Sequence, residues 1–441
     1  MSSKPALHPG QLKEYFLKGC KNISDFAVGV EWEKIGVDGD TGRAIPYSGP
    51  RGVKVIFEDL IKKYGWQVAL RSSDGQPIAL KKGETNITLE PGGQIELSGA
   101  KAKNISQNAQ ELFSHLTEIK EISLPLGIVW LGLGAQPFST AEDIEWVPKD
   151  RYQIMRQRLL QKGSKTFSMM KETASVQVSV DYSSEEDAVE KLRLAMALAP
   201  FLTAMFANSP IEGGKISPFL SRRADIWRHT APERSGCIWE AFRPDFSFQD
   251  YVEYALDVPL LFIRREGQWM QTDEMPFRRF LESGWKDYDA EAGDWELHLS
   301  SIFTEARLKN YLEIRSIDCQ GTPVGLSAVA FIKGLFYNAE ARKKAWQLLG
   351  GLALEERKRL FSETPQKALK TAFGGGTLLE PCRTLLAISR AGLEERERPY
   401  LIPIEILLDS KHCPAERMLE WIKNTDDPAC RLRTIIRFCA V

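Results

Sequence analysis

The chain has almost no net charge: 58 lysines and arginines stand against 59 aspartates and glutamates, leaving −1 over 441 residues. That balance offers no global attraction for nucleic acid or an anionic membrane, so neither is an expected partner, and any anionic ligand must be caught by a local constellation. Long apolar runs are missing as well. The longest, residues 126–135 and 195–206, fall short of the roughly 18 to 20 residues a membrane span needs, and Pro200 interrupts the second. The seven cysteines are odd in number, scattered, and nowhere in C-x-x-C spacing, which fits free thiols in a reducing cytoplasm better than a disulfide framework. Residues 1–10 lack the charged start and apolar core of a secretory signal, so export is not expected. None of the five histidines has metal-ligand spacing, and His298 is expected to be a satisfied interior residue. Repeats, low-complexity tracts and linkers rich in Pro, Gly or Ser are absent too, so residues 1–441 are expected to form one domain.

What the chain does have is paired carboxylates. Glu31 and Glu33 are two apart in a stretch, residues 27–37, that reads as a strand, and residues two apart in a strand project from the same face. Glu90 and Glu96 bracket a Pro-Gly-Gly turn that could bring two short extended arms, residues 86–90 and 94–98, to one place. Four acids in one cavity repel one another strongly unless cations intervene. Hard oxygen ligands of this kind favour Mg²⁺ or Mn²⁺, with ATP phosphates as the usual further party.

Around these motifs the hydrophobic periodicity predicts helices at residues 9–19, 51–64, 106–126, 153–162 and 187–206, the last capped by Ser184. Strands are predicted at residues 67–71, 78–81, 128–135, 176–182 (half-buried, by its period of two), 260–264 and 306–317. Helices are predicted at residues 248–256, 277–283 and 295–301, one or two of them at 322–347, and more through Trp421. Strands therefore cluster early and in the middle, an α+β arrangement and not the alternation of a doubly wound sheet. The Gly374-Gly-Gly376 triplet lacks the Lys-Ser/Thr of a phosphate loop and reads as a flexible loop.

Longer blocks carry a resemblance. Glu31-Trp-Glu33-Lys34, residues 87–98, Arg151-Tyr-Gln-Ile-Met155, Met169-Met170, residues 176–185, Phe206-Ala-Asn-Ser-Pro210, Ile226-Trp227, residues 254–259 and Tyr311-Leu-Glu-Ile-Arg315 occur in the order found in plant-type glutamate-cysteine ligase, which the chain resembles almost end to end. The resemblance implies the glutamine-synthetase-like fold, a curved and mainly antiparallel sheet forming a funnel with helices outside. It implies formation of a γ-glutamyl amide from L-glutamate and, by default, L-cysteine, through an acyl phosphate made from ATP, as in glutathione or related thiol biosynthesis. Glu31, Glu33, Glu90, Glu96 and Glu313 would then hold two or three Mg²⁺ ions. Arg315, on the same strand face as Glu313, would either reach the transferred phosphoryl group or pair with a nearby acid. Arg151 and Arg223 match positions of the glutamate pocket, where a guanidinium holds a carboxylate bidentately. Trp227 is pocket wall or core, and Arg234 matches a further family segment. Lys34 is expected to be structural, on the opposite face. Members of the family are monomers or dimers. Plant members are regulated through disulfides, which draws Cys20, Cys237 and Cys413 into comparison without defining a pair.

Three departures bear on the acceptor. After Met169-Met170 the family usually reads Arg-Thr-Cys-Thr, and here the segment is Glu172-Thr173-Ala174-Ser175. If that arginine lines the substrate cavity, Glu172 reverses the charge there, which disfavours an anionic group and favours an amine or guanidine. Leu261 stands where plant members commonly have tyrosine, and the usual Glu-His-Glu is Glu31-Trp32-Glu33. Two readings follow beside the cysteine ligase: the same chemistry with another amine or amino-acid donor, or a non-catalytic relative, which would be expected to lose the carboxylates.

Overall fold

The computed structural model describes residues 7–423 and 427–441. Its longest strand, Val28–Asp38, has 11 residues and is long enough to take three antiparallel partners. Ser175–Val180 pairs with its first half, Ile95–Ser98 with its middle and Ile128–Leu131 with its end. On one side the sheet continues through Leu312–Asp318 to Ala306–Leu308, and on the other through Thr85–Leu89 and Pro77–Lys82 to Gln67–Arg71. All the ladders of this nine-stranded sheet are antiparallel.

The period of two divides the central strands into two chemically opposite faces. Val28, Val30 and Trp32 align with Val176, Val178, Val180, Leu312 and Ile314, all buried. This apolar face packs on the helices Glu185–Phe206 and Thr322–Phe336. Glu31, Glu33, Glu96, Gln177 and Glu313 project from the other face, with Glu33 directly across from Glu96 and Glu31 across from Gln177. Leu312–Asp318 is bulged: Ile314 opposes Val178 and Ile317 opposes Val176, so Arg315 and Ser316 together face Gln177.

Several expectations change in detail, while those for the helix through Pro200, His298, Lys34 and the cysteines hold. Residues 306–317 are a hairpin and not one extended run, because the chain reverses between Leu308 and Leu312. The strand expected at 128–135 ends at Leu131, where Gly132 N turns to Cys439 O (2.7 Å) and Gly134 N to Asn208 O (3.0 Å). The helix expected at 106–126 is α-helical over Ile105–Ser123 and tightens to a 3₁₀ turn at Leu124–Leu126, where Pro125 removes a donor. Pro200 does not break its helix, which runs from Glu185 to Phe206 with Ser184 accepting from Asp187 N at 3.1 Å. Ser175–Val180 is buried on both faces, since its polar side faces a cavity. Residues 322–347 hold two helices, Thr322–Phe336 and Ala339–Leu349, the second capped by Asn338. Gly374 and Gly375 form the turn of the ribbon Ala372–Phe373/Gly376–Thr377, with φ of 54° and 82° that glycine adopts without strain. His298 is interior, with Nε2 at 2.8 Å from Ala255 O. Lys34 is buried on the apolar side, donating to Trp32 O at 2.7 Å. All seven cysteines are free.

Asp318, at the end of the bulged strand, ties the sheet to the helix Arg222–Arg228. Its carboxylate accepts from Asn208 N (2.8 Å), Ser209 Oγ (2.7 Å) and Ser221 Oγ (2.9 Å), and Ser221 is the cap of that helix. Replacing Asp318 by Ala strands three buried donors, each costing about 1 kcal/mol or more, so a loss of about 3 kcal/mol is expected in urea unfolding. A loss under about 0.5 kcal/mol, the level of an ordinary surface change, would remove Asp318 from this role.

Candidate active site

The polar face of the sheet is the floor of a cavity of about 260 Å³. Four acids line it: Glu31 and Glu33 from the long strand, Glu96 from its neighbour, and Glu90 from the start of the Pro-Gly-Gly turn. That turn is closed by Gly93 N donating to Glu90 O (2.9 Å) and by Glu90 N donating to Gln94 O (3.0 Å). Glu33 accepts from Ser175 N (2.6 Å) and Gln177 Nε2 (2.9 Å), and Glu96 Oε1 accepts from Ser98 Oγ (2.7 Å) and Thr88 Oγ1 (3.1 Å). These neighbours fix the carboxylate orientations while leaving lone pairs for the cavity.

Six basic residues line the same cavity: Lys149, Arg151, Arg223, Arg307, Lys309 and Arg315. Three of them share one buried acid. Glu313 is fully buried and lies 2.6 Å from Arg307 Nη2, 2.9 Å from Arg315 Nη1 and 3.4 Å from Lys309 Nζ. Arg315 also donates to Gln177 Oε1, linking this cluster to Glu33 through one side chain. Among the described residues the other three bases have no carboxylate partner. Arg151 donates to Ser300 O and Oγ (both 3.2 Å), Arg223 to Arg315 O (2.7 Å) and Lys149 to Tyr152 OH (3.2 Å). Tyr152 in turn donates to Leu89 O at 2.7 Å, pinning its helix beside Glu90.

Burial and mutual repulsion disturb the acids. Glu33 is pushed up to about 8 by burial and then by Glu90 and Glu96. Burial raises Glu31 well above the ordinary carboxylate value, helped by Glu96 and Glu313, and it raises Glu90, helped by Glu96. For Glu313 burial also acts upward, but Arg307, Lys309 and Arg315 together overcome it and hold the carboxyl well below its ordinary value. One set of carboxylates is thus short of positive charge while Glu313 is saturated with it. The deficit on the floor is what a divalent cation would fill. Among the described residues no three acidic, histidine or cysteine side chains form a closed metal cage.

Of the residues the sequence singled out, Glu31, Glu33, Glu90, Glu96, Arg151, Thr173, Ser175, Arg223, Trp227 and Arg315 line this cavity, with Glu313 just behind its wall. Three others lie elsewhere. Glu172 was expected to reverse a cavity charge, but it is 1% exposed, pairs with Arg222 and accepts from Ala141 N at 2.8 Å. The helix Thr166–Glu172 turns Met169 and Met170 toward the cavity, and the rotation per residue carries Glu172 away from it. Leu261 faces a separate gap beside Arg234, while its neighbour Phe262 lies under the Arg151 guanidinium at 5.3 Å. Arg234 is buried and donates to Ser301 O (3.0 Å) and Pro259 O, clamping backbone next to the cavity. Lys149, Gln177, Arg307 and Lys309 went unassigned in the sequence. Arg307 and Lys309 share the odd-numbered alternation of Glu313 and Arg315, a signal legible only once a hairpin, and not one strand, is drawn there.

A nine-stranded antiparallel sheet with helices on its apolar face and this bipolar cavity on the other defines a glutamine-synthetase-like fold. Residues 27–432 match glutamate-cysteine ligase family 2, and the chain belongs to that family. It is 37% identical over 426 residues to glutamate–cysteine ligase B, chloroplastic, of Oryza sativa subsp. japonica, covering 94% of this chain and 85% of that protein. To glutamate–cysteine ligase, chloroplastic, of Arabidopsis thaliana it is 36% identical over 423 residues, covering 93% and 80%. Among solved structures, glutamate–cysteine ligase of Francisella tularensis in complex with AMP superposes with a TM-score of 0.57 at 13% identity, over 95% of this chain and 89% of that one, a likeness of fold.

The raised Glu33 value has a measurable consequence. Between the ordinary value of 4.5 and about 8 the folded protein keeps a proton that the unfolded chain has released. Its stabilising contribution is complete below 4.5 and is lost as pH climbs through about 8. The melting temperature of the metal-free protein is expected to fall over that window, and excess Mg²⁺ to reverse most of the fall while releasing protons. A melting temperature flat across the window, with or without Mg²⁺, would contradict the buried cluster.

Proposed function

We propose that the chain is an ATP- and Mg²⁺-dependent ligase that joins L-glutamate through its γ-carboxyl to L-cysteine. The observation that carries this reading is the pairing of a four-carboxylate floor with six cavity bases in a chain of this family. A γ-carboxylate oxygen takes the γ-phosphoryl group of ATP and ADP leaves. The amine of cysteine then attacks the acyl carbon, loses a proton and expels phosphate, leaving the amide. The first step brings two anions together and the second builds negative charge on the acyl oxygen and the departing phosphate, so the residues needed are those that neutralise charge without reorganising.

Glu31, Glu33, Glu90 and Glu96 would hold Mg²⁺, two or three ions with Mn²⁺ as a substitute, and the metal would screen the triphosphate and polarise its γ-phosphate. Arg307, Lys309 and Arg315 present a rigid cationic edge for the transferred phosphoryl group, with Glu313 fixing their positions as an ion-pair hub and not as a metal ligand. Arg151 and Arg223, which have no carboxylate partner of their own among the described residues, suit the carboxylates of an amino acid. The alternative acceptor loses its motive, because neither Glu172 nor Leu261 lines the cavity. A single catalytic domain is supported by the larger of two apolar clusters, whose members run from Leu7 to Val441, with the smaller one also joining early strands to the C-terminal helices. The free cysteines support a reducing compartment, for which we take the cytoplasm, although the rice and Arabidopsis relatives are named as chloroplastic.

Phosphate release from ATP is expected to require both glutamate and an acceptor, with cysteine the best of a panel of amines. Stronger turnover with another amine would replace the acceptor, and no release with any would sink the ligase. Glu33→Gln and Glu90→Gln are each expected to lower turnover about 100-fold or more while leaving the fold intact.

A further inference from the structure

The main cavity shares a wall with a second one. Arg223, Trp227, Phe303 and Arg315 line both, and the smaller, about 20 Å³, is completed by residues that include Thr203, Thr304, Glu305 and Ser316. A space of that size takes one group as large as water or an ammonium and nothing bigger. Glu305 is the only acid lining it among the described residues. Its Oε2 accepts from Ser316 Oγ at 2.6 Å, and Ser316 is one of the two bulge residues facing Gln177. Oε1 forms no hydrogen bond or ion pair among the described residues, so one oxygen is held and the other is open. Trp227, on the shared wall, has its Nε1 buried without an acceptor among the described residues, a donor that a bound carboxylate would satisfy. A guanidinium and an indole N–H on one side and a lone carboxylate on the other match the two charges that an α-amino acid carries on one carbon.

We infer that Glu305 binds the α-ammonium of the amino acid whose side-chain carboxylate reacts in the main cavity, so that it selects an α-amino acid over a plain dicarboxylate. This rests on the ligase reading above. It assigns the amino group to the small cavity and the α-carboxylate to Arg223 and Trp227 on the shared wall. The same carboxylate acting only as a counter-charge to Arg223 and Arg315 would show no preference between ligands with and without the ammonium.

Isothermal titration of L-glutamate and of glutarate, which lacks only the amino group, separates the two roles. The wild type, with Mg²⁺ and a non-hydrolysable ATP analogue, is expected to prefer glutamate. Glu305→Gln, which keeps the shape and the Ser316 contact, should weaken glutamate about ten-fold or more and leave glutarate unchanged. Glu305→Asp should keep part of the preference. An unchanged glutamate-to-glutarate ratio in Glu305→Gln overturns the assignment alone, while a wild type that binds no glutamate overturns the ligase reading and this inference with it.

Discussion

Antiparallel pairing sets Glu33 against Glu96, with Glu31 two residues away on the same face and Glu90 at the adjoining turn. Each carboxylate therefore feels the others in a recess where water screens poorly, and Glu31, Glu33 and Glu90 are shifted upward by burial first and by that repulsion second. Nearly everything around them answers to this one constraint. Ser175 N, Gln177, Thr88 and Ser98 donate hydrogen bonds that hold the carboxylates in place, and six bases surround the space above. On the reading proposed for this site, cations and a polyanion would complete it together, since either one alone leaves half of it uncompensated.

Glu313 shows how one residue type takes opposite states on one sheet face. It projects from the same face as Glu31, but the hairpin delivers Arg307 and Lys309 to it and the next same-face residue is Arg315. Its charge is spent on organising three bases, whereas the charge of the floor carboxylates remains available. The bulge after Ile314 contributes as well, because it sets both Arg315 and Ser316 against Gln177. Arg315 then belongs to the main cavity, and both residues line the smaller one.

The elements were largely legible because their periodicities are local. The long strand, its Pro-Gly-Gly neighbour, the capped helix after Ser184 and the shared face of Glu31 and Glu33 follow from spacing alone. The hairpin at residues 306–317 was not, since the apolar alternation of Ala306, Leu308, Leu312 and Ile314 keeps one phase on both sides of Lys309 and Asn310 and hides the reversal. The helix expected at residues 187–206 holds through Pro200, since a helix buried among sheet and neighbouring helices gains enough from packing to tolerate a lost hydrogen bond. Glu172 and Leu261 were misread for a shared reason. Their neighbours Thr173 and Phe262 serve the cavity, directly or by supporting Arg151, and one step along the chain is enough to turn a side chain away.

By itself the sequence determined which residue types are brought near one another by strand period and tight turns, and hence the acidic floor, the α+β class and the family. Those depend on separations of a few residues, where backbone geometry leaves little choice. Only the tertiary structure decided which acids keep their charge available: Glu313 meets Arg307 and Lys309 because the hairpin folds back on itself, and the floor acids face bases that lie far along the chain, in that hairpin and in the helices bearing Arg151 and Arg223. It likewise decided that Glu172 is neutralised by Arg222, and that Glu305 has one carboxylate oxygen free beside the cavity. Electrostatic pairing is a property of distance in space, and a sequence records that distance only where its strands and turns are already known.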